Sequence, residues 1–242
     1  MEYFELTVTA YMLDDIHFTK ANEIIGKTIN RVMYLDKALS EKHIQKGYKH
    51  YCYGSFYPTE KDKVYKNGRI YVFKIRSLES EFAGKMQNLI EDVRSNEIKV
   101  MAVQVKRRAK RRIVELHTVT PAIVTVDNKH WLPQDDITLL KDRLQANLEK
   151  KYRDFYGEGL NVSQRFIEKL ELLNKKVMSL NYKDTRLLGN KFRIVVNGDE
   201  CSQRLAFIAE AVGLGEKSSA NGMGFCNAQY LKVRNRRQIK SR

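Results

Sequence analysis

The sequence predicts an α+β chain of two tandem ferredoxin-like units, each running β-α-β-β-α-β as RRM-like domains do. Three observations predict it. Residues 4–12 alternate apolar and polar side chains, the period of a half-buried strand. Residues 18–39 then repeat apolar side chains every three or four positions, the period of a helix. After Thr120-Pro121 the order of strand and helix loosely recurs, and 242 residues suit two domains of about 120 each.

The elements follow in order. Phe4, Leu6, Val8, Ala10 and Met12 form the apolar side of the first strand, with Glu5, Thr7, Thr9 and Tyr11 on the other. Phe18, Ala21, Ile25, Thr28, Val32, Leu35 and Leu39 predict one long helix. Residues 48–57 and 69–76, rich in Tyr, Phe, Ile and Val, predict two strands, and Asn67-Gly68 supplies a turn between them. Phe82, Met86, Leu89, Ile90 and Val93 predict a second helix, and Ile98, Val100, Ala102 and Val105 a closing strand. The expected boundary puts one domain at 1–118 and the second at 119–242. In the second, residues 122–126 are a strand candidate. Ile137, Leu140, Leu144, Leu148, Tyr152 and Phe155 line a helix that Gly157 and Gly159 stop. Residues 162–173 read as an extra helix or as its continuation. Residues 176–183 with 192–196 read as a hairpin, 205–212 as a short helix, and 225–233 as the final strand.

Composition narrows the function. There are 44 basic against 29 acidic residues, a formal charge of +15. The excess is spread: 22 basic against 15 acidic residues up to Thr120, and 22 against 14 after it. A folded chain basic throughout points to a polyanion, nucleic acid first, because neutralised phosphates release counterions. Two clusters sharpen this. Lys106, Arg107, Arg108, Lys110, Arg111 and Arg112 are interrupted only by Ala109, and the C-terminal tail carries Lys232, Arg234, Arg236, Arg237, Lys240 and Arg242. No membrane span or signal peptide is expected, and Cys52, Cys201 and Cys226 have no CxxC pair, so a reducing cytoplasm fits.

The most informative stretch is GLGEKSSANGMGF at 213–225, expected between a helix and a strand. Its glycines Gly213, Gly215, Gly222 and Gly224 allow close backbone approach. Its amides, with Lys217 and Ser218, can meet a phosphate. It is not a Walker A loop, because Glu216 separates Gly215 from Lys217 and the loop precedes a strand. Together with the β-α-β-β-α-β layout, this loop resembles the RAMP superfamily of CRISPR-associated RNA-binding proteins. More specifically, the chain resembles the repeat-processing endoribonucleases, the sixth numbered Cas family. Val119-Thr120-Pro121-Ala122 resembles the family's "TP" segment, and Asn147-Leu148 with Lys151-Tyr152 its "NL..KY" helix. Residues 39–43 followed by 49–55 resemble its "LH…KxFxFS" segment.

The resemblance implies a metal-independent endoribonuclease without cofactor that cuts CRISPR precursor RNA within repeats. The 2′-OH would attack, leaving 2′,3′-cyclic phosphate and 5′-OH ends. It places His43 as general acid or base and Lys49 as charge stabiliser, and Tyr34 is the candidate tyrosine of the first helix. His50 is the rival of His43, and Lys46 of Lys49. The implied RNA-binding residues are the four glycines, Lys217, Ser218 and the six basic residues at 106–112. The implied partners are precursor and processed guide RNA, with an interference complex and a second copy of the chain as further candidates. No metal site is expected, since His50-x-Cys52 is the only near approach to ligand spacing. A competing reading keeps the fold and drops the cutting: a RAMP subunit, or another RNA-binding protein, that holds guide RNA. Tyr51, Tyr53 and Tyr57 could stack bases, although burial is the commoner fate of such a stripe.

Overall fold

The computed structural model describes residues 1–182 and 185–232. The first unit runs β1 (Glu2–Met12), β2 (Ile16–His17), α1 (Phe18–Leu35), α2 (Lys37–Ile44), β3 (Tyr51–Tyr53), β4 (Val64–Tyr65), β5 (Ile70–Ser77), α3 (Ser80–Leu89) and β6 (Ile98–Ala109). Its sheet has the order β3-β5-β1-β6, all antiparallel, with Val8 opposite both Phe73 and Val103. Leu6, Val8, Ala10 and Met12 are buried, as the alternation predicts, in a core shared with α1 and α3. The other face departs from the pattern. Glu5 is only 3% exposed, because Arg76 of β5 and the second unit cover that end of the sheet.

The long helix expected over 18–39 is two. Asp36 takes an extended conformation (φ −125°, ψ 130°), and its carboxylate accepts from Leu39 N at 2.9 Å. This side-chain cap starts a new helix, α2, in a new direction. The break puts His43, the expected acid or base, on α2. The strand expected over 48–57 shrinks to β3, three residues.

The second unit runs β7 (Ile113–Thr118), β8 (Thr125–Val126), β9 (Lys129–His130), α4 (Ile137–Tyr156), β10 (Ile167–Leu172), β11 (Met178–Tyr182), β12 (Thr185–Gly189), β13 (Phe192–Val196), α5 (Glu200–Val212), α6 (Ser218–Asn221) and β14 (Cys226–Tyr230). Its main sheet is ordered β10-β13-β7-β14. Numbered within each unit, both four-stranded sheets read second, third, first, fourth, so the fold is two ferredoxin-like units in tandem. α4 and α5 cover the second sheet, and Tyr3 and Leu78 of the first unit enter that core.

Several second-unit expectations are corrected. Sheet pairing gives the first strand as β7, before the boundary expected between 118 and 119; the Thr120-Pro121 signal marks where that strand ends. The turn at Lys110-Arg111-Arg112 has no Gly, Pro or Asn to announce it. Residues 122–126 hold only the two-residue β8. Residues 162–173 contain a strand, β10, and no helix. The expected hairpin pairs differently: β11 joins β12, while β13 lies between β10 and β7. The final strand ends at Tyr230. Lys183 of the expected hairpin, Val233 of the expected strand, and Arg234, Arg236, Arg237, Lys240 and Arg242 of the basic tail lie outside the described residues. No helix among the described residues is long and apolar enough to cross a membrane.

Candidate active site and nucleic-acid interface

The glycine loop is a packed plug hung on the segment after β7. Thr120 Oγ1 donates to Gly222 O at 2.6 Å and accepts from Phe225 N at 2.9 Å. Gly224 N donates to Pro121 O, and Glu216 N to Ile123 O. The Glu216 carboxylate accepts from Thr125 N and Thr125 Oγ1 at 2.9 and 3.0 Å. Asn22 of α1 reaches across from the first unit, donating to Asn221 O at 3.2 Å. The glycines serve this packing. Gly224 has φ +66°, and a Cβ there would lie 1.8 Å from Leu214 O; Gly222 has φ +63°, and its Cβ would lie 2.6 Å from Asn22 Nδ2. Their close approaches are to the protein itself, which fixes the loop and presents residues 215–220 to a cleft.

Lys151 of α4 supports the loop from below. It is buried, and its ammonium donates to Gly213 O at 2.7 Å and Gly215 O at 2.8 Å. Burial pulls its pKa down to about 8; Cys52, Cys226 and Glu216 oppose that only in part. Even uncharged, the amine keeps two N–H groups for the two carbonyls. The unfolded chain holds this proton up to about pH 10.4, so stability linked to Lys151 is present above that value and lost as pH falls towards 8. Between pH 8 and 10, wild type is expected to gain about 2 kcal/mol relative to Lys151→Met. Urea unfolding of both proteins at the two pH values checks this, and parallel pH curves would refute it.

The cleft, about 310 Å³, lies between the units. Residues 47–51 line it from the first unit, and residues 215–220 of the glycine loop, with Asn147, Lys151 and Val212, from the second. His50 has φ +52° and is 9% exposed. Its Nε2 lies 2.9 Å from Asp154 Oδ2, and its ring packs edge-on to Phe155 at 5.1 Å. Burial lowers its pKa, outweighing the Asp154 carboxylate.

Tyr34 and His43 meet where α1 gives way to α2, and Lys49, which lines the cleft, is tied to the backbone on either side of His43. The rings of Tyr34 and His43 are edge to face, with centroids 5.2 Å apart. Tyr34, at the end of α1, is 61% exposed. His43 is half-buried in the last turn of α2, inside the helix and not in the loop after it. Lys49 Nζ donates to Lys42 O and Gln45 O, the carbonyls on either side of His43 in sequence, and so ties the cleft wall to the helix end. Burial, then the nearby Lys42 charge, lowers the Lys49 pKa. Lys217 stands exposed in the facing loop.

The basic run lies elsewhere. Lys106, Arg107 and Arg108 are in β6, and Lys110, Arg111 and Arg112 form the turn into β7. Part of its charge is matched internally: Arg107 pairs with Glu2, Arg108 with Glu5 at 2.9 Å, and Lys110 with Glu200. Arg111 lies 4.1 Å over the Tyr230 ring. Arg107, Arg108 and Arg111 line a second groove, about 570 Å³, with Lys74 and Arg76. That groove shares no lining residue with the first cleft. Of the three tyrosines offered for base stacking, Tyr51 and Tyr53 are buried and only Tyr57 is exposed.

The model of the CRISPR-associated protein Cas6 C-terminal family matches residues 103–228, more than half the chain. The chain belongs to the Cas6 family. Solved structures carry the same architecture. A CRISPR-associated protein Cas6 has a TM-score of 0.69 at 17% identity, covering 94% of this chain and 99% of that one. A Cas6-related protein from Pyrococcus furiosus gives 0.72 at 18%, covering 94% and 98%. A RAMP protein binding different RNA substrates also gives 0.72 at 18%, covering 93% and 99%. At these identities the likeness shows the fold. No curated protein sequence matches the chain.

For this Cas6-family chain, the sequence left some residues of the cleft without a role. Lys151 carried a signal: it falls three residues after Leu148 and seven after Leu144, on the apolar face of α4, where a lysine needs a buried partner. Asn147 was marked only as part of the "NL..KY" segment, and Asn22, which braces the glycine loop from behind, is an ordinary helix residue by pattern.

Proposed function

We propose that this Cas6-family protein is an endoribonuclease that cuts CRISPR repeat RNA by attack of a 2′-OH on the adjacent phosphate. The observation that carries the reading is the contact of the Tyr34 and His43 rings, with Lys49 joining that helix end to a cleft that residues 215–220 of the glycine loop also line. The substrate brings its own nucleophile. The 2′-oxygen forms a bond to phosphorus and gives up its proton; the bond to the 5′-oxygen breaks, and that oxygen takes a proton. The products are a 2′,3′-cyclic phosphate and a 5′-OH. His43 exchanges one of these protons, since an imidazole both takes and gives a proton near neutral pH. Lys49 meets the charge developing on the phosphate. Tyr34, against the His43 ring, positions it and offers a hydroxyl. No metal is needed for these steps.

Gly215, Lys217 and Ser218 face the strand from the cleft wall, and the buried Gly213, Gly222 and Gly224 fix the loop that carries them. The basic residues at 106–112 contact phosphates along the second groove and position the RNA without reading its sequence. A structural neighbour that binds different RNA substrates supports an RNA ligand for this fold.

The test is cleavage in EDTA of a repeat RNA from the same genome, with a 2′-deoxy substitution at each position in turn. One cut site, lost only when the nucleotide 5′ of the break lacks its 2′-OH, is expected. Tight binding without cutting would replace this reading with the guide-holding one.

A further inference from the structure

The two surfaces proposed for RNA differ in how much of their positive charge is free. At the second groove, Lys74, Arg76 and Arg108 all pair with Glu5, and Arg107 pairs with Glu2. Each of those cations is shared between a carboxylate and any phosphate it meets. Beside the first cleft the balance is different. A hollow of about 110 Å³ adjoins the cleft and shares Tyr48, Asn147, Gly215 and Glu216 with it. Arg143 and Lys150 of α4 also line the hollow, and both are exposed. Among the described residues, Lys150 makes no side-chain hydrogen bond or ion pair. Arg143 has one loose partner, Asp127 at 3.6 Å, whose side chain is 88% exposed. A pair so open to water contributes little and leaves the guanidinium available.

Helix geometry fixes how the two cations stand. They are seven residues apart, so they share one stripe of α4 and lie about 10 Å apart along its axis. Asn147, between them on the same stripe, lines both cleft and hollow. The stripe borders the face that α4 buries through Leu144, Leu148 and Lys151. α4 thus lines the two spaces without a break, from Lys151 in the cleft to Arg143 in the hollow. Beyond the buried Lys151, the linings bring together Lys49, Lys217, Lys150 and Arg143 against a single acid, Glu216. The Glu216 carboxylate is already engaged by Thr125 N and Oγ1. Such a surplus attracts a polyanion. A row of cations spread along a helix and continued into the cleft fits an anion that repeats along a chain. A lone phosphate would use only part of it.

We propose that Arg143 and Lys150 hold phosphates of the RNA segment that leaves the cleft along α4. They would supply salt-sensitive anchoring that the carboxylate-paired arginines of the second groove give only in part. The proposal rests on RNA being the ligand of the cleft, and it adds a second stretch of bound strand to the one being cut.

The test is the salt dependence of affinity for repeat RNA, with a 2′-deoxy substitution at any cut site to prevent turnover. Wild type, Arg143→Ala, Lys150→Ala and Lys141→Ala are compared, each checked for a wild-type fold by circular dichroism. Lys141 is on the same helix and lines neither space. Arg143→Ala and Lys150→Ala are each expected to lower the slope of log affinity against log salt by about 0.7, the share of one phosphate contact on a single strand. Each should also weaken binding several-fold at physiological salt, and Lys141→Ala should keep the wild-type slope. Shortening the RNA from one end should erase the difference between these two variants and wild type once the segment reaching the hollow is gone. Wild-type slopes in both variants, or an equal loss in Lys141→Ala, would overturn the track. Were the repeat RNA still cut, the nuclease reading would stand without it. Reduced slopes with no cutting of unmodified RNA would keep the track and sink the nuclease reading. A wild-type protein that binds no RNA would sink both.

Discussion

His43→Ala is expected to slow single-turnover cleavage of repeat RNA by about 10²- to 10⁴-fold, with repeat affinity changed by no more than a few-fold. The expectation follows from where the ring sits. α2 is held at its start by the Asp36 cap and at its end by Lys49, so the helix does not depend on the imidazole. Alanine is a strong helix former, and the variant should keep both supports. Lys49 and Lys217, the proposed phosphate contacts, are also untouched. Only the proton exchange is lost. Lys49→Met should behave differently, because it removes a cation from the cleft and the tie to α2 together, so binding and rate should both fall. If His43→Ala cleaves at the wild-type rate, His50 becomes the candidate. It would be a different catalyst: more deeply buried, tied to Asp154, and with its ring facing α4. Single-turnover conditions are needed, since slow product release would mask the chemical step.

The first unit was legible because its strands and helices carry their own periodicity. The alternation through Leu6, Val8, Ala10 and Met12 locates the core face of β1 without reference to any other element. The break at Asp36 was in the sequence as a capping residue, but the apolar stripe running on to Leu39 reads straight through it. The second unit was harder for a physical reason. β10 is Ile-Glu-Lys-Leu-Glu-Leu, a string of good helix formers made a strand by pairing with β13. β7 follows β6 after a turn of three basic residues, so no local signal separates the two sheets. The candidate site divides in the same way. The six-residue step from His43 to Lys49 was legible only through the family resemblance. Arg76 was read as a strand residue, because its partners lie 71 to 151 residues away in the chain.

Arg76 carries the largest expected effect on stability. It leaves β5 of the first unit, is 3% exposed, and divides its guanidinium between Glu5 of its own unit and three acceptors of the second. Nε donates to Glu5 at 2.8 Å, Nη1 to the carbonyls of Glu210 and Cys226, and Nη2 to Asn227 Oδ1 at 3.3 Å. Its plane also lies 4.3 Å over Phe225, the last residue of the glycine loop. Burial alone would raise the Glu5 carboxyl, but Arg76, Arg108 and Lys74 outweigh it and hold the pKa at about 2. A depressed carboxyl contributes stability that is present above its unfolded value of about 4.3 and lost as pH falls towards 2. Arg76→Met should therefore cost about 3–5 kcal/mol near neutral pH, the range for breaking a buried pair. Acid unfolding should also move to higher pH because the variant starts less stable, while the Glu5-linked part of the acid loss becomes shallower, since Glu5 keeps only Lys74 and Arg108. Glu5→Gln in the same background should recover part of the loss by removing the buried charge, which a simple cavity would not allow. Urea and acid unfolding of the two single variants and the double variant measure both effects. Equal costs in single and double variants would mean that Arg76 acts through packing alone. Because Phe225 also closes the glycine loop, Arg76→Met should slow cleavage even where the protein remains folded. In this chain the tie between the two units is also the brace of the glycine loop.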